Sequence, residues 1–208
     1  MLDPVLSFAL VAGLVTLTPG LDTALVLRTA ATRSRKEAFA AAAGICLGCL
    51  VWGLAAALGV SALLTASEVA FTIVKYAGMA YMLYLGGRML WTAIRGEETH
   101  EDVSAPGVGG AGRFFRQGLV TNLLNPKVGA FYVALLPQFI PAGASPALMG
   151  TLLAGIHGLE GMAWFTVLIL LVNTMSAWLQ RPSVRRWIDG VAGVAVIGFG
   201  LKLGLSHA

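Results

Sequence analysis

The first apolar run of this sequence, Val5 to Leu27, is long enough to cross a bilayer, and Thr18-Pro19-Gly20-Leu21-Asp22-Thr23 interrupts it in the middle. That interruption constrains the fold more than any other feature. In hydrocarbon every backbone N–H and C=O needs a partner, so irregular backbone survives only where protein buries it or where it lines a wet cavity. A carboxylate at mid-span costs at least about 2.5–3.5 kcal/mol on insertion scales, which keeps Asp22 away from lipid. The stretch is therefore either a proline kink with a satisfied polar residue or half of a solute site.

Composition agrees with the membrane reading. Hydrophobic residues make up 57% of the chain and charged residues only 12%, against about 25% charged in soluble domains. The 26 glycines suit helices that approach closely within a bilayer. The start, Met1-Leu2-Asp3-Pro4, lacks the basic region of a cleavable signal, so the first segment is expected to stay in the mature protein. The hydropathy pattern predicts an all-α membrane protein with six transmembrane helices, near 5–27, 38–65, 69–92, 117–140, 147–173 and 187–205.

Basic residues orient these spans. Arg28, Arg33, Arg35 and Lys36 occupy the first connection; Arg88, Arg95, Arg113 and Arg116 bound the third; Arg181, Arg185 and Arg186 lie in the fifth. The second and fourth connections carry neither Lys nor Arg. The positive-inside rule then puts three connections in the cytoplasm and both termini outside. Basic anchors of this kind account for the net charge of +4, so no nucleic-acid partner is expected. Lys75, a few residues into the third span, is expected to snorkel to the outer interface.

The halves resemble each other. Gly13-Leu14-Val15-Thr16 precedes Pro19 as Gly118-Leu119-Val120-Thr121 precedes Pro126; Ala43-Gly44-Ile45 with Trp52 matches Ala154-Gly155-Ile156 with Trp164; Ala77-Gly78-Met79-Ala80 matches Ala192-Gly193-Val194-Ala195. Three matches in the same order predict two repeats, over 1–95 and 117–208, joined by a cytoplasmic linker over 96–116 that carries Glu97, Glu98, His100, Glu101 and Asp102. An odd number of spans per repeat inverts the second relative to the first, and broken helices one and four would meet at the repeat interface. At ~1.5 Å per residue both Pro19 and Pro126 fall roughly 12–14 Å from the cytoplasmic side of a ~30 Å core.

The second break reads Thr121-Asn122-Leu123-Leu124-Asn125-Pro126-Lys127. Pro126 frees a carbonyl one turn back, and the head of the resumed half-helix favours an anion such as a carboxylate. An Asp22–Lys127 bridge locking the halves is the structural alternative to solute binding. Together the two breaks resemble the signatures of the LysE/RhtB amino-acid exporter family: Thr18-Pro19-Gly20-Leu21-Asp22 is similar to its T-P-G-P-[ND] motif, and Asn122-Leu123-Leu124-Asn125-Pro126-Lys127 to its N-x-x-N-P-K segment. Leu21 stands where the family usually has a second proline, and Asp22 where asparagine is frequent. The resemblance implies a multi-pass exporter of amino acids in the bacterial plasma (inner) membrane, run by the proton-motive force. The broken-helix residues Thr18, Pro19, Gly20, Asp22, Asn122, Asn125, Pro126 and Lys127 are the expected substrate site, with the half-helix ends holding a carboxylate and Asp22 or Glu160 an ammonium.

Two further pairs stand at i, i+3 on helix faces: Cys46 with Cys49, and His157 with Glu160. The repeat register maps one pair onto the other. His157 and Glu160 are proton-coupling candidates, with a packing hydrogen bond as the alternative role. Cys46 and Cys49 are two small buried thiols or a redox dithiol. Neither pair supplies a recognisable metal ligand set, no cofactor is implied, and the absence of Walker or nucleophile–base motifs argues against an enzyme. The expected function is secondary active export of small amino acids or related zwitterions, with protons and membrane lipid as partners and a homo-oligomer left open. A membrane thiol–disulfide carrier using Cys46 and Cys49, or a passive solute channel, is the competing expectation. Topology is directly testable: a reporter active only in the cytoplasm should be silent when fused at Ala208 and active when inserted near Gly107, and the reverse pattern overturns the orientation.

Overall fold

The computed structural model describes residues 2–66, 68–95, 110–141, 143–179 and 181–205. The described chain is helical without strands: α1 (Leu2–Leu17), α2 (Leu21–Thr32), α3 (Arg35–Ala66), α4 (Glu68–Arg95), α5 (Ala111–Leu123), α6 (Pro126–Leu135) with a 3-10 turn at Leu136–Phe139, α7 (Pro146–Leu170), α8 (Val172–Leu179) and α9 (Pro182–Leu205). Local chemistry starts several of them. Ser34 and Glu37 form a capping box, with the Ser34 hydroxyl accepting the Glu37 N–H at 3.2 Å and the Glu37 carboxylate accepting the Ser34 N–H at 3.1 Å. Asn125 and Ser145 cap α6 and α7, each followed by a proline at the first helical position.

Several helices overrun the spans expected from hydropathy at their basic ends. The third begins at Arg35, the fifth at Ala111 and the ninth at Pro182. Apolar content marks only the hydrocarbon-crossing part of a helix, whereas Arg, Lys and Gln are good helix formers that carry it further. Residues 111–116 of the expected linker thus belong to α5, while 96–109 and the side chains of Lys75 and Lys202 lie outside the described residues. The expected fifth span is divided at Leu171, after which α8 resumes.

Among the described residues, α3 and α7 are long and apolar enough to cross a membrane unaided. The α1–α2 and α5–α6 pairs qualify as broken spans, bent by 54° and 56°. With 28 and 24 residues, α4 and α9 have the length of a span. The helices pair as α3 with α5 and α7, and α4 with α9. In α3 and α5 the contacts advance together, Ala41 on Gly118 and Gly48 on Asn122, so these helices run parallel from their basic starts. Contacts of α3 with α7 and of α4 with α9 run in opposite senses, from Ala57 on Gly150 to Cys46 on Gly161, and from Gly86 on Ile197 to Gly190 on Ala93. Ala38 of α3, Phe114 of α5 and Ile188 of α9 share one apolar cluster, so the basic starts of α3 and α5, the start of α9 and the Arg95 end of α4 lie at one end of the bundle.

Two apolar clusters fill the interior. One gathers Phe8, Phe131, Tyr132, Phe139 and Leu153. The other gathers Leu25, Ala41, Phe114, Leu168 and Ile169. Lipid is as apolar as these side chains, so close packing rather than escape from water holds the helices together. The tightest approach joins α3 to α5, where a Cβ on Gly44 would strike the Phe115 carbonyl oxygen and one on Gly118 the Ala41 carbonyl oxygen. Backbone cannot rotate aside as a side chain can. Gly44→Ala and Gly118→Ala are each expected to destabilise the bundle by about 1–3 kcal/mol, whereas Gly59→Ala, whose Cβ would meet nothing within 4 Å, should be neutral or mildly stabilising. Thermal unfolding in detergent checks the order.

Candidate functional site

Each break satisfies its backbone differently. At the first, the Thr18 N–H and hydroxyl both return to the Leu14 carbonyl, at 3.2 and 3.0 Å. Pro19 and an extended Gly20 then turn the chain, and α2 restarts with the Ala24 N–H on the Gly20 carbonyl at 2.8 Å. At the second, Asn125 accepts the Lys127 N–H at 3.1 Å. Pro126 has no N–H for the Asn122 carbonyl four residues back. Two donors replace it: the Asn125 N–H at 3.1 Å, and the indole N–H of Trp52 reaching from α3 at 3.4 Å. The Trp52 ring also rests where Gly129 lacks a side chain; a Cβ there would lie 2.9 Å from the ring.

The breaks then grip each other. Asn122 donates to the Asp22 carboxylate at 2.8 Å, and the Lys127 ammonium donates to the Thr18 carbonyl at 3.1 Å. Asn122 is fully buried because Gly48 of α3 leaves room for it; a Cβ on Gly48 would lie 2.9 Å from the Asn122 Cγ. Its amide also points at the Cys49 sulfur, 3.7 Å away.

Between the two apolar clusters, at this junction, lies a cavity of about 50 Å³, against roughly 10–15 Å³ for a single water. Of the residues nominated from sequence, Thr18, Gly20, Asp22, Asn122, Asn125, Lys127 and His157 line it. Pro19 and Pro126 bend the chain but are not part of the lining. The apolar part of the lining includes Val15, Ile45, Val128, Phe131 and Phe165.

His157 is buried and held at both nitrogens: Nδ1 pairs with the Tyr132 hydroxyl at 2.9 Å and Nε2 with the Thr16 hydroxyl at 3.1 Å. A hydroxyl both donates and accepts, so neutral and protonated imidazole are each satisfied there. Glu160, expected on the same face, is not His157's hydrogen-bond partner. Its carboxylate turns towards α1, 3.9 Å from where a Cβ on Gly13 would be, with Oε2 buried and without a hydrogen bond. Three residues advance a helix by about 300°, leaving ~60° between two such side chains, enough to separate a cavity-lining position from one at the α1–α7 seam.

Both cysteines are free. The Cys46 thiol donates to the Gly158 carbonyl at 3.2 Å, while Cys49 receives the Asn122 contact, so both serve as small polarisable wall groups. Among the described residues no cluster of His, Cys, Asp and Glu could hold a metal. Sequence reasoning missed Tyr132, hidden in the apolar run Phe131-Tyr132-Val133-Ala134-Leu135, and the function of Trp52, which it used only as a repeat marker. A proline four residues after an acceptor is the signal that would have sent the search for an indole donor.

Two broken helices whose polar elbows close on a shared cavity, within a bundle of membrane-length helices, define a membrane transport protein. The LysE type translocator model matches residues 14–207, and the chain belongs to that family. It is 34% identical to the threonine efflux protein of Escherichia coli (strain K12) over 211 residues, covering 100% of each chain. It is 32% identical to the leucine efflux protein of Enterobacter sp. (strain 638), covering 93% of this chain and 91% of that one. An uncharacterized membrane protein of Bacillus subtilis, YrhP, is 28% identical over 97% of this chain and 98% of its own. No solved structure matches significantly. Family translocators are transporters and not enzymes.

The Asp22–Asn122 bond is a charge-assisted link between the breaks, and bonds of this kind contribute about 1.5–3 kcal/mol. Asp22→Ala and Asn122→Ala should therefore couple by an amount of that order in a double-mutant cycle read by unfolding in detergent, and strictly additive losses would contradict the bond.

Proposed function

We propose that this chain is a secondary active exporter that carries small amino acids or related zwitterions out of the cytoplasm. It acts in the bacterial inner membrane as six spans in two inverted three-helix repeats, over 1–95 and 117–208, with both termini outside. The observation that carries this reading is the cavity at the junction of the two bent pairs, where an acidic and a basic side chain face the same space. A zwitterion presents the complementary pair of charges. Lys127, at the head of α6, receives the carboxylate, aided by the positive end of the helix. Asp22, supported by Asn122, receives the ammonium. Thr18, Gly20 and Asn125 shape the polar wall, and Pro19 and Pro126 hold the elbows. The printed functions of the threonine and leucine efflux relatives support amino-acid export here.

Proton coupling runs through His157, which can gain a proton without losing a hydrogen bond. Glu160, one turn on, supplies a carboxyl at the α1–α7 seam, so its charge state bears on how α1 moves. Protein in liposomes should exchange labelled amino acids, and an imposed pH gradient should drive net movement. A passive channel would ignore the gradient.

His157→Gln and Glu160→Gln separate the roles. A coupling residue, once replaced, should leave loaded exchange in place and cut gradient-driven net export by tenfold or more, because the empty carrier no longer exchanges its proton. If His157→Gln exports like the parent under the gradient, the His157 assignment fails, and a loss confined to Glu160→Gln moves the coupling role to Glu160.

A further inference from the structure

The interior glycines of this bundle fall into two groups. At Gly44, Gly48, Gly53, Gly86, Gly118, Gly129, Gly150 and Gly193 a Cβ would come within 3.0 Å of a neighbouring helix. Those glycines exist because helices touch there. Gly158 and Gly161 of α7 differ. A Cβ on Gly161 would stand 3.8 Å from Phe165 and 4.0 Å from the Cys46 sulfur, and one on Gly158 3.8 Å from Cys46. These are ordinary van der Waals separations, so helix packing does not require glycine at either place. Both residues line the cavity, and so do the neighbours a Cβ would meet.

We propose that Gly161, assisted by Gly158, sets the largest side chain the transported amino acid can carry. This rests on the exporter reading above. With the charged ends of the solute held by Asp22 and Lys127, its side chain points towards the wall built by Ile45, Phe131, Phe165 and the bare α7 backbone. That wall offers apolar contact, and the Gly158 carbonyl in it already accepts from the Cys46 thiol. The subsite therefore takes an aliphatic side chain. A methyl added at position 161 stands among cavity atoms and removes space without displacing a helix. In an apolar pocket one methylene of fit changes discrimination by about 10–200-fold.

The test uses full-length protein in liposomes, with counterflow of labelled alanine, threonine and leucine measured side by side. Gly161→Ala should lower the leucine-to-alanine exchange ratio about tenfold or more, and Gly158→Ala should shift it in the same direction by less. Phe165→Leu, which shortens the facing side chain, should move the ratio the opposite way. Gly155→Ala, whose Cβ would meet nothing within 4 Å and which lies outside the cavity wall, should leave it as in the parent. Thermal unfolding in detergent confirms that each variant is folded. An unchanged ratio in Gly161→Ala, or an equal loss for all three solutes, overturns the assignment while leaving the exporter reading intact. A parent that exchanges none of the three removes the exporter reading, and this inference with it.

Discussion

A peptide group in hydrocarbon has no solvent to fall back on, and this bundle contains two places where helix geometry leaves such groups exposed. Each break is completed from elsewhere. The Asn122 carbonyl is met by the Trp52 indole of α3, the Thr18 carbonyl by the Lys127 ammonium, and the Asp22 carboxylate by the Asn122 amide. Neither elbow is self-sufficient, so each forms where the other is present. The cavity is the space that this mutual completion leaves. The atoms that close the breaks are thus the same few that the proposed solute site would use.

The glycine contacts position that junction. Backbone-to-backbone approach between α3 and α5 seats Asn122 against Gly48, which directs its amide at Asp22. With bulkier residues at Gly44 and Gly118 the two helices would stand further apart, and the Trp52 donor would no longer reach the second break. The similar bends of the two pairs, 54° and 56°, carry through to function because helix packing fixes both elbows at one level.

Much of this was legible in the sequence. Both breaks, their cavity-lining polar residues and the pooling of basic residues follow from apolar runs punctuated by Pro, Gly, Asn and charge. What escaped was lateral. Hydropathy reports depth along a helix, not the direction in which a side chain points around it, so His157 and Glu160 looked like partners although His157 turns to two hydroxyls. Tyr132 was invisible for the same reason, since a buried hydroxyl in an apolar run acquires its partner only through tertiary packing. The α7–α8 division at Leu171 carries no proline or glycine signal in the sequence; the structure shows it, and we have no local physical account of it.

The Lys127 ammonium donates to a main-chain oxygen, that of Thr18. An acceptor of that kind belongs to the peptide unit and is present whatever residue occupies position 18. The Thr18 hydroxyl, for its part, is spent within its own helix on Leu14. The two ends of this cross-link therefore answer to different rules of inheritance: one is written in a codon, the other in the bend of the chain. A residue of similar size at position 18 would keep the anchor, as long as the proline that follows still presents the carbonyl.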